Sequence, residues 1–136
     1  MCRRISFLVL IGLILSSCAV AVGEETTSSP LTYQTISVSE LDSLMETNDI
    51  VLINVHIPLE GNIPGTDAKI PFNDIEAYLS ALPTDKDEKI IVYCRSGSMG
   101  KTASQTLVEL GYSDVSNLDG GYLAWIEYGL PFEELH

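Results

Sequence analysis

Apolar positions along the chain fall into short runs separated by polar segments, and each run predicts one element. Residues 50–55 and 89–93 hold apolar runs rich in β-branched side chains, which are typical of strands buried on both faces of a parallel sheet. Residues 115–118 are predicted to form a third strand. Two shorter strands are expected over residues 32–36 and around Ile70.

Helical signals lie between these strands. Ser37 and Glu40 have the spacing of a capping box, and an amphipathic helix is predicted directly behind it. Residues 58–66 are predicted to be a loop. The predicted helices cover residues 38–47, 74–82, 100–110 and 122–128, and Gly111 ends the third of them. Because strands and helices alternate, we expect an α/β fold with a mostly parallel sheet flanked by helices and ligands bound beyond the carboxyl ends of the strands.

The first 17 residues have the pattern of an export signal. Arg3 and Arg4 precede an apolar stretch that is too short to cross a bilayer as a helix of about 20 residues. The stretch ends in Leu-Ser-Ser-Cys18, which resembles the lipobox of bacterial lipoproteins, in which the cysteine is diacylated. We therefore predict an exported chain held by a lipid on Cys18 at the periplasmic or extracellular face of a bacterial membrane. A plain secretory signal cleaved near Ala21 and an uncleaved anchor are the alternatives.

Residues 18–30 are predicted to form a flexible tether to a single domain over residues 31–136, because residues 23–30 are polar and rich in Ser and Thr. The formal net charge of the chain is −12. A surface of this sign repels nucleic acid, so no nucleic-acid partner is expected. No Cys/His cluster has zinc-site spacing. We expect no metal site and a monomeric domain.

Cys94 is the candidate nucleophile. Cys2 would leave with the leader and Cys18 would be lipidated, so Cys94 is the single thiol expected in the folded domain. It lies between a predicted strand and a predicted helix, a corner that aims backbone N–H groups and the positive end of a helix at one point and so favours a thiolate. A buried structural cysteine is the alternative. The candidate substrate-binding residues are those of the loop: Arg95, Ser96, Gly97, Ser98, Met99 and Gly100.

Several short motifs together resemble a rhodanese domain. They are LINV at residues 52–55, IPG at 63–65, YCRSG at 93–97, LGY at 110–112, LDGG at 118–121, AW at 124–125 and GLP at 129–131. The resemblance spans about residues 36–132 and implies the three-layer rhodanese-like fold. It also implies a sulfurtransferase in which Cys94 takes a sulfane sulfur from thiosulfate, a polysulfide or a persulfide and passes it to a thiophilic acceptor. A small sulfur compound or a persulfidated protein is then the partner, and no cofactor is needed.

Three departures from the family pattern affect four positions. Asn54 and His56 stand where an Asp and an Arg are common, Asn62 where a His is frequent, and Met99 where many active members carry an Arg or a hydroxyl residue. We expect Asn54 and His56 to lie around the site rather than at its centre, with His56 packing in a loop. These departures leave open a binding or sensing module that forms a persulfide without turnover, and a purely structural domain. A Cys-x5-Arg phosphatase loop is excluded, because position 100 is Gly100.

Four further residue roles follow from position alone. Trp125 is predicted to pack in the core and Tyr93 to be structural. Asp119 is predicted to stabilise the turn at the following two glycines. Glu133 and Glu134 are predicted to form a solvated tail.

Overall fold

The computed structural model describes residues 31–136, and the predicted signal, Cys18 and tether lie outside the described residues. Seven strands are present in this part: β1 Gln34–Ile36, β2 Val51–Asn54, β3 Gly61–Asn62, β4 Ala68–Lys69, β5 Ile90–Tyr93, β6 Val115–Leu118 and β7 Glu133–Glu134. Five of them form a sheet in the order β1-β6-β5-β2-β4, and every pairing in it is parallel. The two long apolar runs and the third predicted strand thus form the centre of the sheet.

Helices cover both faces of this sheet. They are α1 Val38–Met45, a 3₁₀ helix Ile75–Ala81, α2 Ser98–Glu109 and α3 Gly121–Glu127. One core lies between the sheet, α2 and the 3₁₀ helix, and the other between the sheet, α1 and α3. The predicted three-layer α/β fold is confirmed. Among residues 31–136 no helix is long and apolar enough to cross a membrane.

Local signals explain where the helices begin and end. Ser37 and Glu40 form the predicted capping box: the Ser37 side chain accepts from the Glu40 N–H, and the Glu40 carboxylate accepts from the Ser37 N–H at 2.7 Å. Gly111 follows α2 with a left-handed φ of +96°, as predicted for a residue just past a helix. Trp125 is buried in the second core, which confirms its predicted role.

Three predictions about shorter elements were wrong. The segment predicted as a loop contains β3, which pairs antiparallel with β7, so the acidic tail is part of a small second sheet. The short strand expected around Ile70 lies at Ala68–Lys69 instead. Of residues 74–82, predicted as a helix, Ile75–Ala81 form a 3₁₀ helix with non-helical angles at Tyr78, and Ile75 is the buried residue within it. A single apolar anchor inside the helix imposes no α-helical period on so short a segment.

Candidate active site

Cys94 lies directly after β5, the central strand of the sheet, and is only 1% exposed. The strand is fixed beneath it by the Val55 N–H, which donates to the Tyr93 carbonyl at 2.9 Å. The Tyr93 hydroxyl accepts from the Ile63 N–H at 3.0 Å and lies 2.7 Å from the Thr66 hydroxyl. Burial raises the pKa of Tyr93, so the phenol stays neutral in this structural role, as predicted.

A backbone amide is aimed at the sulfur. The Gly97 N–H donates to Cys94 Sγ at 3.0 Å, and Gly97 reaches this position with a φ of +110°, which favours glycine. A donor in this position stabilises negative charge on the sulfur. Gly97 also caps α2, which therefore begins at Ser98 rather than at the predicted residue 100.

The other predicted loop residues differ in how far their side chains are exposed to solvent. Arg95, Ser96 and Ser98 face solvent, whereas Gly100 is buried. Met99 is half-buried and packs against the core on the α2 side of the sheet. The side chains of Ser96 and Ser98 are therefore accessible from solvent beside Cys94. Met99 instead supports the loop by packing against the core.

Asn117, in the neighbouring strand β6, holds the loop and was missed by sequence reasoning. Its side-chain nitrogen donates to the Gly97 carbonyl at 3.2 Å, and the Lys101 N–H donates to the same oxygen at 3.1 Å. A Cβ on Gly100 would lie 3.0 Å from Asn117 Cγ and would overlap its amide oxygen. That amide oxygen is buried and has no hydrogen-bond partner among the described residues. Asn117 thus fixes the carbonyl of Gly97, the residue whose N–H points at Cys94, and Gly100 leaves room for the Asn117 side chain.

Replacing Asn117 tests this positioning role. Because Asn117→Asp keeps the shape but places a carboxylate against the Gly97 carbonyl, we expect the alkylation rate of Cys94 near neutral pH to fall roughly 3- to 10-fold, the equivalent of about one hydrogen bond. Ser104→Ala is the control, since Ser104 Oγ is also buried without a partner but lies outside the loop. A wild-type alkylation rate for Asn117→Asp would contradict the role of Asn117.

The turn at Gly120 and Gly121 closes the site from the other side. Both glycines have positive φ, and they start α3 so that the Tyr122 N–H donates to the Cys94 carbonyl at 2.8 Å and the Leu123 N–H to the Arg95 carbonyl at 3.1 Å. The cysteine loop and α3 are therefore one rigid unit. The Asp119 N–H donates to the Ile36 carbonyl at 2.9 Å, which anchors the turn to β1 through the backbone.

Asn54 and His56 follow β2 and organise the neighbouring loop. The buried Asn54 donates to the Gly61 carbonyl at 2.8 Å and to the Asn62 side-chain oxygen at 3.2 Å, and it accepts from the His56 N–H at 3.0 Å. The His56 ring is 9% exposed and packs edge-on against Tyr122 with centroids 5.7 Å apart. Both residues therefore support the loop beside the site, as expected.

Glu60 is the second residue that sequence reasoning missed. Its carboxylate accepts a short hydrogen bond from the Tyr122 hydroxyl, lies 3.6 Å from His56 Nε2 and lies 3.5 Å from Arg95 Nε. The hydrogen bond from Tyr122 holds the pKa of Glu60 below its usual range, and the charges of His56 and Arg95 act in the same direction. Burial and the same carboxylate raise the pKa of Tyr122. Arg95, which the sequence offers as an anion-binding group, is therefore already paired with a carboxylate.

The fold and this loop define a class: an α/β domain that presents one buried cysteine to an amide-lined loop at the carboxyl end of its central strand. Within residues 31–136, no cluster of His, Cys, Asp and Glu could hold a metal ion. A family model described as the rhodanese-like domain matches residues 37–128. The chain belongs to the rhodanese-like family.

Relatives and a solved structure agree with this assignment. A protein named sulfurtransferase from Allochromatium vinosum is 37% identical over 103 residues, covering 69% of this chain and 94% of the relative. The human thiosulfate:glutathione sulfurtransferase is 31% identical and covers 68% of this chain and 93% of the relative. The crystal structure of a rhodanese-related protein from Thermoplasma volcanium superposes with a TM-score of 0.63 at 26% identity, over 74% of this chain and 97% of that chain. The Allochromatium vinosum and human relatives are thus both named as sulfurtransferases.

Proposed function

We propose that this protein is a sulfurtransferase that carries a sulfane sulfur as a persulfide on Cys94. The proposal rests on one observation: the Gly97 N–H donates a hydrogen bond to the buried sulfur of Cys94, which is the only cysteine among the described residues. An amide at that distance stabilises the Cys94 thiolate before the reaction. It can also stabilise the negative charge of the Cys94 persulfide that the reaction forms. The sulfurtransferase names of the relatives support the same chemistry.

The proposed reaction has two half-reactions that balance without an oxidant. In the first, the Cys94 thiolate attacks the outer sulfur of thiosulfate, a polysulfide or a persulfide. The sulfur–sulfur bond of the donor breaks, and sulfite or a thiolate leaves with the bonding electron pair. In the second, a thiophilic acceptor attacks the terminal sulfur of the Cys94 persulfide, and the electron pair of that sulfur–sulfur bond returns to Cys94 as a thiolate.

The residues around the loop bear on the choice of donor. Arg95 is paired with Glu60, and the chain as a whole is strongly acidic. Arg95 is therefore not free to bind a small dianion such as thiosulfate. This pairing favours a persulfide donor over thiosulfate. The same pairing also favours the alternative function, a module that forms a persulfide but turns over slowly.

The test is sulfur loading of the purified protein. Full-length chain with Cys2 and Cys18 replaced by serine would be incubated in detergent with thiosulfate or with glutathione persulfide, and its intact mass would be read before and after cyanide. We expect the mass to rise by one sulfur atom and to return to its starting value as cyanide removes the sulfur. Loading without discharge would favour the slow module, and no loading from either donor would overturn the proposal.

We also propose that the domain works at the outer face of a bacterial membrane, attached through a lipid on Cys18. The lipobox-like Leu-Ser-Ser-Cys and the charged, apolar leader support this location. Replacing Cys18 by serine should block acylation and release the chain from the membrane fraction in a cell-fractionation experiment. Retention of the Cys18→Ser chain in the membrane would favour an uncleaved anchor.

A further inference from the structure

A groove opens beside the cysteine loop. It has a volume of about 380 Å³, and Arg95 of the loop stands at its wall. One side is apolar and consists of Leu123 and Ile126 on α3 together with Phe132 and Leu135 of the C-terminal segment. Leu123, Ile126 and Leu135 are 40%, 42% and 54% exposed. Contiguous exposed apolar side chains beside a reactive group are typical of a surface that a partner covers.

The charged side of the same groove is acidic. Glu60 and Glu134 line it, and Arg95 is the only cation among its lining residues. The Arg95 guanidinium lies 3.5 Å from the Glu60 carboxylate, so one carboxylate balances it and the charge of Glu134 remains. A group that enters this groove therefore gains from a positive charge as well as from aliphatic side chains.

These features disfavour small acidic thiols as acceptors held in the groove. Glutathione carries two carboxylates and one ammonium group, and Glu134 would repel its net negative charge. It also offers few apolar atoms to the Leu123, Ile126 and Leu135 side chains. A polypeptide can place aliphatic side chains along α3, a Lys or Arg near Glu134 and a cysteine toward the loop at the same time.

We infer that the acidic groove, meaning the surface formed by Glu60, Leu123, Ile126, Glu134 and Leu135, docks the sulfur acceptor as a protein segment. That segment carries a cysteine flanked by aliphatic and basic residues. Its thiolate attacks the terminal sulfur of the Cys94 persulfide, the sulfur–sulfur bond to Cys94 breaks, and its electron pair returns to Cys94. The acceptor leaves as a persulfide. This inference rests on the proposed function of Cys94 and names the acceptor class for it.

The test compares acceptors on the same loaded protein. Full-length chain carrying serine at positions 2 and 18 and the Cys94 persulfide is mixed with short peptides at subsaturating concentration, and the loss of sulfur is followed by intact mass. One peptide places leucine and lysine beside its cysteine, a second replaces lysine by glutamate, and a third replaces leucine by serine. We expect the first peptide to accept sulfur about 10-fold faster than either of the others. High salt should reduce the difference between the lysine and glutamate peptides, because it screens their charges.

Variants of the groove locate the effect. Ile126→Ser with Leu135→Ser should slow transfer to the leucine–lysine peptide about 10-fold and leave discharge by cyanide within about twofold of wild type. The control is Tyr78→Ser with Leu79→Ser, two residues of similar exposure that lie on the 3₁₀ helix outside the groove. Glu134→Lys should reverse the preference for lysine over glutamate, whereas Glu133→Lys, which changes the net charge equally outside the groove lining, should not.

The outcomes separate the two proposals. If cyanide discharges the persulfide but all three peptides accept sulfur equally, the groove inference is wrong and the sulfurtransferase proposal stands. If the groove and control variants slow peptide transfer equally, docking at this surface is overturned. If Cys94 takes up no sulfur, the function itself fails before any acceptor is compared.

Discussion

Replacement of Cys94 by serine is expected to abolish sulfur loading completely while leaving the fold in place. The serine hydroxyl can accept the hydrogen bond that the Gly97 N–H gives to Cys94 Sγ at 3.0 Å. It cannot serve as the sulfur nucleophile, because a hydroxyl is protonated at neutral pH and no adjacent base activates it. Intact mass after incubation with glutathione persulfide measures the loss, and thermal unfolding measures the fold.

Cys94→Ala is the matched variant for the hydrogen bond itself. Both replacements remove the sulfur, but alanine leaves the buried Gly97 N–H without an acceptor, which costs about 1–3 kcal/mol. Cys94→Ser should therefore be the more stable of the two. A serine variant that still gains one sulfur would show that another group is the carrier. A serine variant no more stable than the alanine variant would contradict the role of the Gly97 amide.

The layers of the fold could be predicted because each layer is encoded locally. Residues 51–53 and 90–93 are apolar and rich in β-branched side chains, which predicts central strands of a parallel sheet, and the short run at residues 115–118 between turn signals predicts the third. Ser37 and Glu40 meet across three residues, so the start of α1 could be predicted too. Cys94 could be found because strand, cysteine, glycines and helix follow one another without a break.

Long-range pairings could not be predicted in the same way. β3 and β7 hold two residues each, too few to show an alternating pattern, and they are brought together from distant parts of the chain. The Glu60–Tyr122 hydrogen bond joins residues that are 62 positions apart in the sequence. It holds the Glu60 carboxylate that pairs with Arg95, so the ion pair of Arg95 depends on a long-range contact. Sequence reasoning therefore offered Arg95 as a substrate-binding residue, whereas the structure pairs its guanidinium with Glu60.

Asn117 illustrates a different limit. An asparagine in a run of otherwise apolar strand residues is a visible signal, since a buried amide needs a partner. Its partner, however, is set by the register of β6 against β5, in which Asn117 lies beside Val92 and so comes under the loop that follows Cys94. The sequence marks the position as unusual, and only the sheet register assigns it to Gly97.

Gly121→Ala should disrupt both stability and activity, because this glycine lies against the backbone of the cysteine loop. A Cβ at this position would lie 2.5 Å from the Arg95 carbonyl oxygen and closer still to that of Cys94. Gly121 also has a φ of +61°, which disfavours any residue with a side chain. We expect a loss of about 3 kcal/mol in the free energy of unfolding, and a fall in Tm on the order of 10–20 °C.

Gly111→Ala isolates the conformational part of this effect, so the difference between the two variants gives the steric part. Gly111 has a φ of +96°, but a Cβ there would meet nothing within 4 Å, so the substitution carries only the conformational cost of about 1–2 kcal/mol. Loading of Cys94 by glutathione persulfide should stay at the wild-type rate in Gly111→Ala. In Gly121→Ala, assayed below its Tm, it should fall at least about 10-fold, because α3 can no longer hold the Cys94 and Arg95 carbonyls. Equal stability and equal loading in the two variants would mean that the contact between α3 and the loop does not organise the site.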